Sequence, residues 1–97
     1  MKAVLYAEAL REAHDAAAYL ERQRAGLGSE FADEVELGLE MITARPTSWK
    51  PLTHGLRRYR IKRFRYNLIY RLRDNQAEVI AVAHDRQRPG YWLPRVD

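Results

Sequence analysis

The sequence predicts an α+β fold: a small curved, mainly antiparallel sheet of about four strands, packed by an N-terminal helical hairpin, in the order β-α-α-β-β-β. Two observations support this. Apolar residues recur at spacings of three and four as far as Ile42, which marks a helix face, and beyond Pro51 they alternate instead, which marks strands. The links between the alternating runs are short, so those strands are expected to be antiparallel neighbours.

Ala3-Val4-Leu5-Tyr6 is a short β-compatible run and supplies the first strand. From Glu8 to Arg24, the residues Leu10, Ala13, Ala17 and Leu20 fall on one helical face, and the abundant alanine favours helix intrinsically. Gly26 and Gly28 interrupt the pattern. Ser29 follows as candidate N-cap of a second helix, with Glu30, Asp33 and Glu34 suited to its positive end. Its apolar stripe is Phe31, Val35, Leu39 and Ile42, with Gly38 leaving room for close packing. It stops at Arg45-Pro46, because proline cannot continue the hydrogen-bond ladder. Two helices joined by so short a link form an antiparallel hairpin. Tyr59, Ile61 and Phe64, then Leu68, Tyr70 and Leu72, then Val79 to Ala83 mark three further strands, with Asp74-Asn75 as the tight turn between the last two. Both faces of Ala77 to His84 are largely apolar, which places that strand centrally.

The 97 residues suit a single domain, 1–97, and 46% apolar content supplies one modest core. With no cysteine, disulfides and thiolate metal sites are excluded. Charged residues recur from Glu8 onward, so no signal-peptide core is expected, and no run approaches the ~20 apolar residues that span a bilayer. A soluble, cytoplasmic protein with no membrane partner is expected. The net charge of +4 is unevenly divided: residues 1–49 carry 5 Lys+Arg against 9 Asp+Glu, and residues 50–97 carry 12 against 4. A basic half of that strength favours phosphate-rich or acidic partners, without choosing among RNA, DNA and acidic protein.

The densest feature is Arg57 to Arg65, where Arg57, Arg58, Arg60, Lys62, Arg63 and Arg65 are basic and aromatics are interleaved. On one continuous strand Arg58, Arg60 and Lys62 would project to one side and Arg57, Arg63 and Arg65 to the other, with Arg71 and Arg73 extending the array from the next strand. The plainer alternative is a solvated edge whose charges suppress edge-to-edge pairing. Lysine would serve that purpose equally, whereas five of these six are arginine, suited to bidentate phosphate or carboxylate contacts, so a binding face is preferred.

The second feature is the run from Ala81 through His84-Asp85-Arg86-Gln87-Arg88-Pro89-Gly90-Tyr91-Trp92. His84 could exchange a proton near neutral pH, Arg86 and Arg88 could stabilise a phosphorane, and Tyr91 could orient or deprotonate a 2′-hydroxyl, which are the tools of metal-free RNA cleavage. The alternative is a strand-end histidine beside an exposed basic turn, with Tyr91 and Trp92 packing over the sheet; for Trp92 that alternative is preferred. His14 and His54 lack metal-ligand spacing, and no serine or glycine stands in a nucleophile-elbow or phosphate-loop context, so no metal or cofactor is expected. Glu30, Asp33, Glu34, Glu36 and Glu40 are read as the solvated face of the second helix.

The order of these features resembles the RelE/ParE family of small toxins. The similarity lies in Gly55-Leu56-Arg57-Arg58-Tyr59-Arg60, in Arg63-Phe64-Arg65-Tyr66-Asn67-Leu68-Ile69-Tyr70-Arg71, and in Ala81-Val82-Ala83-His84 through Tyr91-Trp92. It implies the toxin of a type II toxin–antitoxin system, held inactive in a hetero-oligomer by a cognate antitoxin. That partner's C-terminal segment, disordered until bound, would set acidic groups against the arginine-rich face. The family divides by target. ParE-like members act on DNA gyrase without catalysis of their own, whereas RelE-like members cleave mRNA on the ribosome without a metal. Asn67 stands where RelE-like nucleases often have arginine, which favours gyrase. The rival is a ribosome-dependent endonuclease using His84, Arg86, Arg88 and Tyr91, and a third possibility is an inactive toxin-derived binding module.

Overall fold

A computed structural model describes residues 1–96. The chain runs β1 (Lys2–Leu5), α1 (Ala7–Gln23), α2 (Leu27–Ala44), β2 (Lys50–Pro51), β3 (Arg57–Ile61), β4 (Tyr66–Arg73) and β5 (Gln76–His84), with single 3-10 turns at Thr53–Gly55 and Leu93–Arg95. The strands form one sheet in the order β1-β5-β4-β3-β2. All pairings are antiparallel except that of β1 with β5. The predicted α+β order holds with one strand more than expected. β2 is two residues long and one of them is proline, so it has no periodicity to read and is tolerated only because it lies at an edge.

Both helices pack on one face of the sheet. Phe31, Val35 and Ile42 of α2 meet Ile61, Leu68, Tyr70, Val79 and Val82 in the main core. Phe31 stands edge-on to Phe64 and Tyr66, at centroid distances of 5.4 and 5.0 Å. In α1 the buried face differs from the expected one: Leu10 is 47% exposed, while Ala9 and Ala16 are buried, with Ala13, Ala17 and Leu20 packed beside them. Alanines recur all round this helix, so apolar spacing alone does not single out the face that its neighbours cover.

The start of α2 also differs. Gly26, in the left-handed region at φ 91°, precedes a helix that begins at Leu27, and Ser29 lies exposed inside it. The capping oxygens come from α1. Glu21 Oε2 accepts from the Gly26 N–H at 2.9 Å and Oε1 from the Gly28 N–H at 3.0 Å. These satisfy helix-end donors that a local serine would otherwise serve.

The basic run is not one strand. β3 ends at Ile61, and Lys62 to Arg65 form a turn with Arg65 at φ 59°, so the alternation expected through Arg65 stops four residues early. Asp74 and Asn75, at φ 53° and 57°, form the two-residue turn expected between β4 and β5. β5 is an interior strand, between β1 and β4, and is buried along almost its whole length. A register slip pairs Ile69 with Ala81 and Tyr70 with Val79, so Ile80 is an extra residue, and both Ile80 and Ala81 join a second apolar cluster with Leu56, Ile69 and Ala83. Tyr91, Trp92, Leu93 and Val96 pack against that cluster, so β5 is covered on both sides. Among the described residues no helix is long and apolar enough to cross a membrane.

Candidate functional site

The second cluster floors an open cavity of about 640 Å³. Its position follows from strand register. Arg58 lies opposite Ile69 and Arg60 opposite Asn67 across β3–β4, while Asn67 lies opposite Ala83 across β4–β5. Arg58, Asn67, Ile69 and Ala83 therefore share the cavity, walled by Pro51 to Thr53 on one side and Trp92-Leu93 on the other.

Most arginines of the basic half are already paired. Arg57 Nη1 donates to the carbonyls of Thr47 and Trp49, at 3.1 and 2.8 Å, and so ties the loop after α2 to β3. Arg60 grips Asp85 with two bonds, Nη1 to Oδ1 at 3.0 Å and Nη2 to Oδ2 at 2.7 Å. Arg63 pairs with Glu30 on α2, so that acid is not simply part of a solvated face. Buried Glu78 accepts from Arg71 Nε at 2.9 Å, Arg73 Nε at 3.2 Å and the Tyr6 hydroxyl at 3.0 Å, and Arg71 Nη2 also donates to that hydroxyl at 2.8 Å. The Arg60 guanidinium, then Asn67, hold the Asp85 carboxyl below its ordinary value. For Glu78 burial pushes upward, but bonds from Arg71, Tyr6 and Arg73 outweigh it and the net shift is down.

Asn67 is 6% exposed. Its Nδ2 donates to Ala83 O at 3.1 Å and to Asp85 Oδ1 at 2.9 Å, while its Oδ1 has no partner among the described residues. Arg58 Nε is likewise buried without a partner.

Of the C-terminal set, His84 alone lines the cavity. Its ring stands edge-on to Tyr66 at 4.9 Å, and its Nδ1 accepts from the Arg86 N–H at 3.1 Å, so the neutral ring carries its proton on Nε2. Arg86 and Arg88 are exposed on the turn that follows. The Tyr91 hydroxyl instead donates to Glu12 Oε2 of α1 at 2.6 Å. Glu12 also accepts from Arg95 Nη1 and Nη2, at 2.9 and 3.0 Å, and from the Val82 N–H at 3.0 Å. Burial, reinforced by this carboxylate, pushes the Tyr91 phenol well above its ordinary range. Tyr91 is thus built into a joint between helix and C-terminus. Among the described residues no cluster of His, Cys, Asp and Glu could hold a metal ion.

The profile of the family described as "ParE toxin of type II toxin-antitoxin system, parDE" matches residues 4–89. This chain belongs to the ParE toxin family. A solved structure of the "Chromosomal ParDE TA system from P. aeruginosa" has the same fold, with a TM-score of 0.67 at 11% identity, covering 87% of this chain and 95% of that one. No curated protein matches the sequence significantly. In this ParE-family toxin the residues that organise the open face include three carboxylates, Glu12, Glu78 and Asp85, which the sequence offers only as members of a general acidic content. Glu12 and Asp85 give no local signal because their arginine partners lie 83 and 25 positions away.

Proposed function

We propose that this ParE-family toxin is neutralised by direct binding of a cognate antitoxin and, once released, arrests growth by acting on DNA gyrase. Asn67 is the observation that favours gyrase over RNA cleavage. It is buried, its amide is bonded to Asp85, and Asp85 is occupied by Arg60, so β4 sets a neutral amide where cleavage in the RelE manner would need a cation. Tyr91, with its hydroxyl on Glu12, is poorly placed to act on a 2′-hydroxyl. The arginine-rich face and its apolar cavity suit a protein segment carrying acidic and apolar side chains, as an antitoxin would present.

His84 keeps the ribosome-dependent endonuclease alive as a second reading, since it lines the cavity with Nε2 available as proton donor. One experiment separates the two. Toxin expression without antitoxin should produce gyrase-linked DNA breaks and a DNA-damage response, with translated transcripts left intact. New transcript ends that disappear with His84→Ala would overturn the gyrase reading in favour of cleavage. Absence of any growth arrest from well-folded protein would reduce the chain to an inactive binding module.

A further inference from the structure

We infer that the cavity on the open sheet face binds the free C-terminal carboxylate of a peptide chain ending in an apolar residue. Two buried polar atoms define the site. The Asn67 amide cannot be turned over, because both groups that Nδ2 reaches, Ala83 O and the Asp85 carboxylate, only accept. Its Oδ1 is therefore fixed as an acceptor awaiting a donor, on a residue only 6% exposed. Arg58 Nε is a buried donor awaiting an acceptor, and its guanidinium has no ion-pair partner among the described residues. Arg58 pairs with Ile69, two positions along β4 from Asn67, so the two unmet atoms are on diagonal neighbours of one face. An unmet donor and an unmet acceptor above an apolar floor favour a ligand site over a device for stability.

The same two atoms select the ligand. The guanidinium requires an anion, and Asn67 Oδ1 requires an N–H or O–H. A phosphomonoester dianion has no proton to give, and any phosphate dianion would bring its second charge toward Asp85 at the cavity's edge. A nucleobase edge supplies donor and acceptor but leaves the cation uncompensated. A mid-chain Asp or Glu supplies the anion, yet its flanking peptide groups would meet a floor of Leu56, Ile69 and Ala83 that cannot satisfy them. A terminal residue carries a carboxylate and its own N–H on one Cα. Its side chain is then free to lie on that floor against Trp92. The site goes beyond the gyrase reading and does not depend on it.

The test uses the purified full chain and two probes, N-acetyl-leucyl-leucine as the free acid and as its C-terminal amide. Binding is followed by NMR at the Ile69 and Ala83 methyls and the Trp92 indole. The acid should give saturable shifts and bind about tenfold more tightly than the amide. Arg58→Gln should erase that preference while melting no lower than the parent, because it removes a half-buried charge without an ion-pair partner. Arg58→Lys should keep a reduced preference for the acid. Equal binding of acid and amide, or no shift at millimolar probe, overturns the site. So does an amide-ended peptide with an internal glutamate that binds as well as the acid, or inorganic phosphate that moves the same resonances more tightly.

Discussion

Glu12 is a single side chain on which α1, β5 and the C-terminal segment all depend. Its carboxylate accepts from Tyr91, from both Arg95 terminal nitrogens and from the Val82 backbone, and the Arg95 and Glu12 side chains are only 18% and 20% exposed. Removing it leaves a shielded guanidinium unpaired and a β5 N–H unmet. Glu12→Ala should therefore cost about 3 kcal/mol of unfolding free energy, and Tyr91→Phe, which removes one donor, about 1 kcal/mol, both read by denaturant titration. The pH dependence has a definite sign. Burial pushes the Glu12 carboxyl up, but the bonds from Arg95, Tyr91 and Val82 outweigh it, so its folded value lies below the ordinary 4.5. A depressed acid stabilises the fold above its unfolded pKa and loses that contribution as pH falls through the folded one. Thermal melting should decline on acidification below about pH 4.5 less steeply in Glu12→Ala than in the parent. Equal declines would show that Glu12 contributes nothing to the acid limb. None of this is visible in the sequence, where Glu12 is one of 9 acids in the first 49 residues and Arg95 is remote along the chain.

At the scale of elements, the helical hairpin was legible in the sequence where side-chain volume sets the pattern and illegible where the chain's own backbone does. The α2 stripe of Phe31, Val35 and Ile42 is buried as its spacing predicts. The sequence points to Ser29 as the helix start, whereas the cap is Glu21 of the preceding helix, a tertiary contact that no local rule contains. β2 is too short to show a period in the sequence, and the turn at Lys62 to Arg65, without glycine or proline, leaves the basic run looking like one strand. Two glycines differ in a way that can be measured. A Cβ on Gly28 would stand 2.5 Å from the Ala17 carbonyl oxygen, which is helix backbone and cannot yield without parting α1 from α2. One on Gly38 would stand 2.8 Å from Leu68 Cδ1 and 2.9 Å from Tyr59 Cε1, both ends of side chains. Alanine gains up to about 1 kcal/mol of helix propensity at either site. Against that, Gly28→Ala should be destabilising by about 2–3 kcal/mol net and Gly38→Ala by about 1 kcal/mol or less. Comparable losses in chemical denaturation would mean that the hairpin is looser than the helix–helix contact at Gly28 implies.

Across the whole molecule, the division into an acidic and a basic half is partly cancelled by folding. Arg63 returns to Glu30 and Arg95 to Glu12, while Arg60 and Arg71 are occupied by Asp85 and Glu78 within the basic half itself. Besides Lys50, Arg57 and Arg58 toward the β2 edge, Lys62, Arg65, Arg86 and Arg88 make no side-chain ion pair among the described residues. The Asp85 N–H donates to Arg65 O at 2.9 Å and Tyr66 pairs with His84, so the β3–β4 turn and the turn after β5 lie together at one end of the sheet. Lys62, Arg65, Arg86 and Arg88 are thus gathered in those two turns. A long run of arginine in sequence overstates what the surface offers to phosphate, because charge counting cannot know which acids the fold will bring. If only these four cations release counterions, binding of single-stranded RNA should weaken with salt at a slope of about −3 in log–log form, against about −5 or steeper for the eight-residue array that the sequence suggests. Arg86→Ala with Arg88→Ala should halve that slope, whereas Arg57→Ala should leave it unchanged, since Arg57 spends its guanidinium on the carbonyls of Thr47 and Trp49. Fluorescence anisotropy of a labelled oligonucleotide across a salt series measures all three. A slope that responds to Arg57 and not to the Arg86–Arg88 pair would place the phosphate contacts on β3 and restore the strand-borne array.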